Sequence, residues 1–185
     1  MYKQTEYEGN MTEILSKGVL RSTTVMFLFV WFAGIWMGGC ETQEQKVEKL
    51  IKQLQDDVEI RHYAIWELVE IGKDAVPFLI QALQDADSGV CVNVTTALGW
   101  IGEGAISAVP TLIQLLQDKN AGSDVRANVA TALGWIGEGA QDTVPSLIQA
   151  LQDQDAGVCQ GVVEALENID TPEALKAVEE YESRQ

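Results

Sequence analysis

From about residue 43 onward, apolar residues recur three and four positions apart, the period of a helix with one buried face. Val109, Leu112, Ile113 and Leu116 form one such ladder, with Pro110 in or near the first turn, where its missing N–H is tolerated. A second ladder, Val125, Val129, Ala132, Leu133 and Ile136, predicts a helix over about 123–136, stopped by Gly137. Gly72 and Gly102 are matching stops. After residue 41 there are no alternating β-branched runs and no two-residue hairpin turns, so strands are not expected. The pattern predicts four helix pairs and a closing helix over about 171–181, opened by Thr171-Pro172-Glu173.

The pairs are copies of one unit. The string ALGWIGEGA stands at Ala97–Ala105 and again at Ala132–Ala140, and 20 of 26 positions agree when Asn93–Asp118 is shifted by 35. Leu-Gln-Asp recurs at Leu54, Leu83, Leu116 and Leu151, and Val-Pro at Val76, Val109 and Val144. Units that each bury a face only against a neighbour build a solenoid. The fold expected is therefore all-α, an α-solenoid of about four helix pairs plus a C-terminal capping helix.

Helix pairs with Val-Pro in the first helix, Ala-Leu-Gly-x-Ile-Gly closing the second and an Asp-Val-Arg entry resemble the HEAT-repeat family. Within it they are similar to the short repeats named after phycobilisome lyases. The resemblance covers about residues 44–182 and implies that the second helices line a concave face. It also implies that an acid and an Arg at the entry of each second helix tie neighbouring repeats. Those places hold Glu59 and Arg61, then Gly89 and Cys91, then Asp124 and Arg126, then Gly157 and Cys159. The ladder is thus expected from Glu59, Arg61, Asp124 and Arg126 alone. Repeats two and four are either relaxed and locally flexible or have drifted with packing kept by Val90 and Val158. A bridge between Cys91 and Cys159 is excluded, because they sit two repeats apart.

Nine, six and two positions before each closing residue, one face of the second helices carries the side chains left out of the apolar ladder. It reads Tyr63, Trp66 and Glu70; Asn93, Thr96 and Trp100; Asn128, Thr131 and Trp135; Gly161, Glu164 and Asn168. Aromatic side chains anchor interfaces and Asn can bond an extended backbone, so Tyr63, Trp66, Asn93, Trp100, Asn128 and Trp135 are the candidate binders of a protein or peptide partner. The other use of the Trp rings is packing between repeats.

The first forty residues differ in kind. Lys17 and Arg21 precede an apolar run from Val25 to Met37, too short to span a bilayer and shaped like a secretory signal. Met37-Gly38-Gly39-Cys40 resembles a bacterial lipobox, with Met where Leu is usual, which implies a lipidated Cys40 at the head of residues 41–185. Cleavage without lipid and an uncleaved membrane anchor are the alternatives, and Met11 is a second candidate start. The expected location is the cell envelope, on the periplasmic side, and Glu41 after Cys40 favours the outer membrane.

Charge and chemistry narrow the function. The net charge of -16 disfavours nucleic acid. One His and three dispersed Cys cannot form a zinc set or the paired His-Glu site of a HEAT-repeat hydroxylase. His62 has no nucleophile placed beside it by sequence, and Gly99–Gly104 lacks the Lys and strand of a phosphate loop and is read as a repeat turn. No catalysis and no cofactor are expected, and the function expected is a membrane-anchored binding scaffold. The alternative is an accessory bilin-lyase-like protein or a chaperone for a chromophorylated partner.

Overall fold

A computed structural model of the chain describes residues 41–85 and 88–184. The signal segment and Cys40 lie outside the described residues. The helices belong to one compact unit, Gln43–Gln185.

They are α1 Gln43–Gln53, α2 Val58–Ile71, α3 Val76–Asp85, α4 Ser88–Ile101, α5 Val109–Gln117, α6 Ser123–Ile136, α7 Val144–Ala150, α8 Ala156–Ile169 and α9 Pro172–Glu182. They pair as α1/α2, α3/α4, α5/α6 and α7/α8, with α9 packed on α7 and α8. The second helices of the pairs stack in order, α2 on α4 on α6 on α8. The expected four pairs and closing helix are therefore present, and the helix predicted over 123–136 is α6.

The core follows from the repeat. Leu54, Leu68, Leu79, Leu98, Leu112, Leu133, Leu147 and Leu166 are all fully buried, one from each helix α1 to α8 or the turn just after it. Each stabilises the fold by about 1.5–3 kcal/mol relative to an exposed side chain. Removing any one would open a cavity between two pairs.

Three second helices end in the same way. Gly72, Gly102 and Gly137 have φ of 68°, 65° and 70°, and ψ is -136° at Gly72 and -134° at Gly137. That backbone region is essentially closed to residues with a Cβ. Each glycine starts a 3-10 segment, Gly72–Ala75, Gly102–Ala108 and Gly137–Thr143, that leads to the next pair. The fourth closes differently. Asp170 takes the left-handed helical conformation (φ 52°, ψ 30°), which Asp tolerates. The Thr171 hydroxyl then accepts a hydrogen bond from the Ala174 N–H at 3.2 Å, and Pro172 opens α9.

The turn expected over Gly99–Gly104 is shorter than its glycines suggest. Gly99 belongs to no turn; it is buried inside α4, and only Gly102 and Gly104 lie in the connecting segment. A Cβ at Gly99 would stand 2.8 Å from Trp135 Cε3 and 3.1 Å from Ala132 Cα. Glycine serves there to let α4 and α6 approach closely.

Candidate interaction surface

The aromatic positions of the second helices are exposed. Tyr63 and Trp66 on α2 are 59% and 57% accessible, and Trp100 and Trp135, at the ends of α4 and α6, are 48% and 43% accessible. The Trp100 and Trp135 rings lie with centroids 6.5 Å apart and planes tilted by 38°, within the contact distance of aromatic pairs. Trp135 also covers Gly99 of the preceding repeat. Packing between repeats and surface exposure thus coexist on the same ring.

The asparagines have a different first task. Asn93 Nδ2 donates to the carbonyls of Leu54 and Gly89, both at 3.0 Å. Asn128 Nδ2 donates to the Val92 carbonyl at 3.0 Å and to Thr96 Oγ1 at 2.9 Å. Asn93 thus ties α4 to the end of the first pair and back to its own helix, and Asn128 ties α6 to α4, so the amide N–H groups of the two candidate binders already have acceptors within the fold. Their carbonyl oxygens are what Asn93 and Asn128 can offer to a partner.

At the start of the strip, Lys46 on α1 reaches Glu67 on α2 at 2.6 Å. The Lys46 ammonium, and next the Tyr63 hydroxyl, hold the Glu67 carboxyl below the usual carboxylate range. Donation to that carboxylate pushes the Tyr63 phenol up.

The ladder of charged ties has a partner the sequence did not suggest. Arg126 binds Asp153 with two parallel bonds, Nε to Oδ2 and a terminal nitrogen to Oδ1, both at 3.0 Å, and also donates to the Ala121 carbonyl. Asp153 lies in the turn before α8, so the bond joins repeat three to repeat four. Arg126 holds the Asp153 carboxyl below the usual range. Glu59 and Asp124 instead occupy the first turns of α2 and α6, where a carboxylate favours the helix dipole. Arg61 is half-buried on α2.

Where Cys replaces Arg, the thiols are buried and form no disulfide. Cys91 Sγ points to the Leu83 carbonyl at 3.9 Å, and Cys159 Sγ to the Leu151 and Asp153 carbonyls at 3.5 and 3.3 Å. Val90 and Val158 beside them are buried.

Among the described residues, no group of three His, Cys, Asp or Glu side chains is placed to hold a metal ion. His62 is exposed on α2. No helix among them is long and apolar enough to cross a membrane.

The profile of the HEAT-repeats family matches residues 47–122 and 110–183. No curated protein matches the chain in sequence. Among solved structures, the chain is similar to the complex of CpcE and CpcF of phycocyanin lyase from Nostoc sp., with a TM-score of 0.64 and 18% identity over 75% of this chain and 86% of that one. It is also similar to human deoxyhypusine hydroxylase in complex with glycerol, with a TM-score of 0.52 and 23% identity over 76% of this chain. The match spans 46% of the hydroxylase, less than half its length. At these identities the likeness is one of fold. With the profile covering both halves of the array, the chain belongs to the HEAT-repeat family.

Proposed function

We propose that this chain is a non-catalytic HEAT-repeat scaffold that holds a protein or peptide partner on the face of its second helices, tethered to a membrane of the cell envelope through a lipidated Cys40. The observation that carries it is that Tyr63, Trp66, Trp100 and Trp135 are all left accessible on the second helices, whereas the other exposed large apolar side chains, Val58, Ile60, Ile106 and Leu175, carry no ring. Exposed aromatic patches of this kind mark interaction sites, and Trp and Tyr dominate their energetics.

Crosslinking in native envelopes, followed by purification of the chain, tests the aromatic face. The double substitution Trp100→Ala, Trp135→Ala should abolish the crosslinked species while circular dichroism and thermal midpoint stay near those of the parent. Unchanged crosslinking with a lowered midpoint would show the rings to be packing alone. For the tether, metabolic labelling with a fatty acid should mark the chain, and Cys40→Ala should remove the label and release the chain from membranes. A label that persists in Cys40→Ala overturns the anchor.

Likeness of fold to a phycocyanin lyase complex favours a second reading, an accessory role for a chromophore-carrying partner. A crosslinked partner with visible absorbance would select it.

A further inference from the structure

Arg126 and Cys91 hold the same place in successive repeats, eleven residues before the closing glycines Gly137 and Gly102. Asp153 and Asp118 are equivalent in the same way, each ending a Leu-Gln-Asp run. The turn after Asp118 is two residues longer than the turn after Asp153, but both begin with the same hydrogen bond. Asp153 Oδ1 accepts the Asp155 N–H at 2.9 Å, and Asp118 Oδ1 accepts the Asn120 N–H at 2.9 Å. Both carboxylates share that local hydrogen bond, and at Asp118 Oδ1 the Asn120 side-chain amide also donates at 3.0 Å, on the oxygen that in Asp153 takes a guanidinium N–H.

What faces them differs. Between repeats three and four the Arg126 side chain fills the space and grips Asp153, leaving the two side chains only 12% and 19% accessible. Between repeats two and three the short Cys91 turns to the Leu83 carbonyl, and a cleft of about 480 Å³ remains between α3 and α5. Cys91 and Asp118 both line it, with Leu83, Leu115 and Val125 as apolar walls and Gln114 as a further polar group. Among the described residues no cationic side chain reaches Asp118.

We propose that this cleft receives an arginine side chain from a partner protein, whose guanidinium takes on Asp118 the place that Arg126 takes on Asp153. A guanidinium matches a carboxylate with two parallel bonds, which an ammonium cannot do. Leu83, Leu115 and Val125 suit its aliphatic stem, and Gln114 can accept one of the N–H groups left over. The net charge of -16 draws a cationic segment toward the site. The cleft is lined by α3, α5, the turn after α5 and the starts of α4 and α6, and by none of Tyr63, Trp66, Trp100 and Trp135, so it is a second contact and does not depend on the first.

Capped Gly-Arg-Gly and Gly-citrulline-Gly peptides, titrated into the full chain in detergent and followed by calorimetry, test it. The arginine peptide should bind saturably and about tenfold or more tighter than its neutral isostere. Asp118→Asn should erase that difference, whereas the Trp100→Ala, Trp135→Ala protein should keep it. Equal binding of the two peptides, or an arginine preference that survives Asp118→Asn, overturns the proposal. Cys91→Arg supplies the occupant from within the chain: it should raise the thermal midpoint and block the peptide, and Asp118→Asn should cancel the gain. A Cys91→Arg protein that still binds the arginine peptide as the parent does also overturns it. Should that variant fail to fold, the Asp118→Asn titration decides alone.

Discussion

α6 meets α8 through Gly134, where an added Cβ would stand 2.7 Å from the Cα of Ala165, while Ala132, two residues earlier, faces Gly99 of α4. α2 occupies the same place in the first repeat but carries Val69 and Glu67 at those two positions. Its approach to α4 is correspondingly looser than that of α6 to α8. Glu67 is turned instead toward Lys46 of α1, and Tyr63 and Trp66 stay more exposed than the two later tryptophans. One helix type thus makes a close junction with the next repeat where Gly stands and a looser one where Val stands. The place that in α6 faces the preceding repeat with Ala carries in α2 a charge paired within its own repeat. Tightness belongs to the middle and end of the array, and accessible surface to its beginning.

The sharpest way to break this contrast is to give α6 the bulk of α2. Gly134→Val should drive a branched side chain into the backbone of α8 and cost about 3 kcal/mol, read as a lower urea midpoint. If the stability is unchanged, the close approach is not what holds repeat four. A smaller effect is expected from the tie across the same junction. Arg126→Ala removes the paired bonds to Asp153 and should cost about 2 kcal/mol. Because the folded Asp153 carboxyl titrates below its unfolded value of about 3.9, that contribution is complete above this pH and is lost as pH falls through the lower folded value. The gap between parent and Arg126→Ala should therefore narrow below about pH 4 in pH-dependent unfolding. The smallest change is expected at the open end. Glu67→Gln should return the Tyr63 phenol toward its ordinary range, followed by ultraviolet titration, with little change in melting.

The fold was legible because its instructions are local and repeated. Helical ladders, closing glycines and the Thr171-Pro172 start each act within a few residues, and the near-copies set the register of the pairs. The ties were not legible, because they cross between repeats. Arg126 passes over the nearby Asp124 to reach Asp153, 27 residues on. Asn93 reaches back 39 residues to the Leu54 carbonyl, an acceptor present at every position and hence without a signature. The misassigned Gly99 shows the same limit, since a glycine that admits a neighbouring helix looks in sequence like one that makes a turn. The recurrence of Ala97 and Gly99 as Ala132 and Gly134 was the available signal for close packing. The aromatic strip could be read from spacing alone because exposure on a helix is periodic.

The closing residues carry a consequence for how such an array can vary. At Gly72, Gly102 and Gly137 any side chain is strained by the backbone itself, whatever space surrounds it, whereas the conformation at Asp170 also admits Asn or Gly. The chain thus has three nearly immutable points, 30 and 35 residues apart, and a permissive fourth. A segment copied from one closing glycine to the next carries its own entry and exit and can be inserted between existing pairs without disturbing either end. A copy added after Asp170 has no such exit. Lengthening by whole units is open to this architecture from within, and α9 keeps the last position.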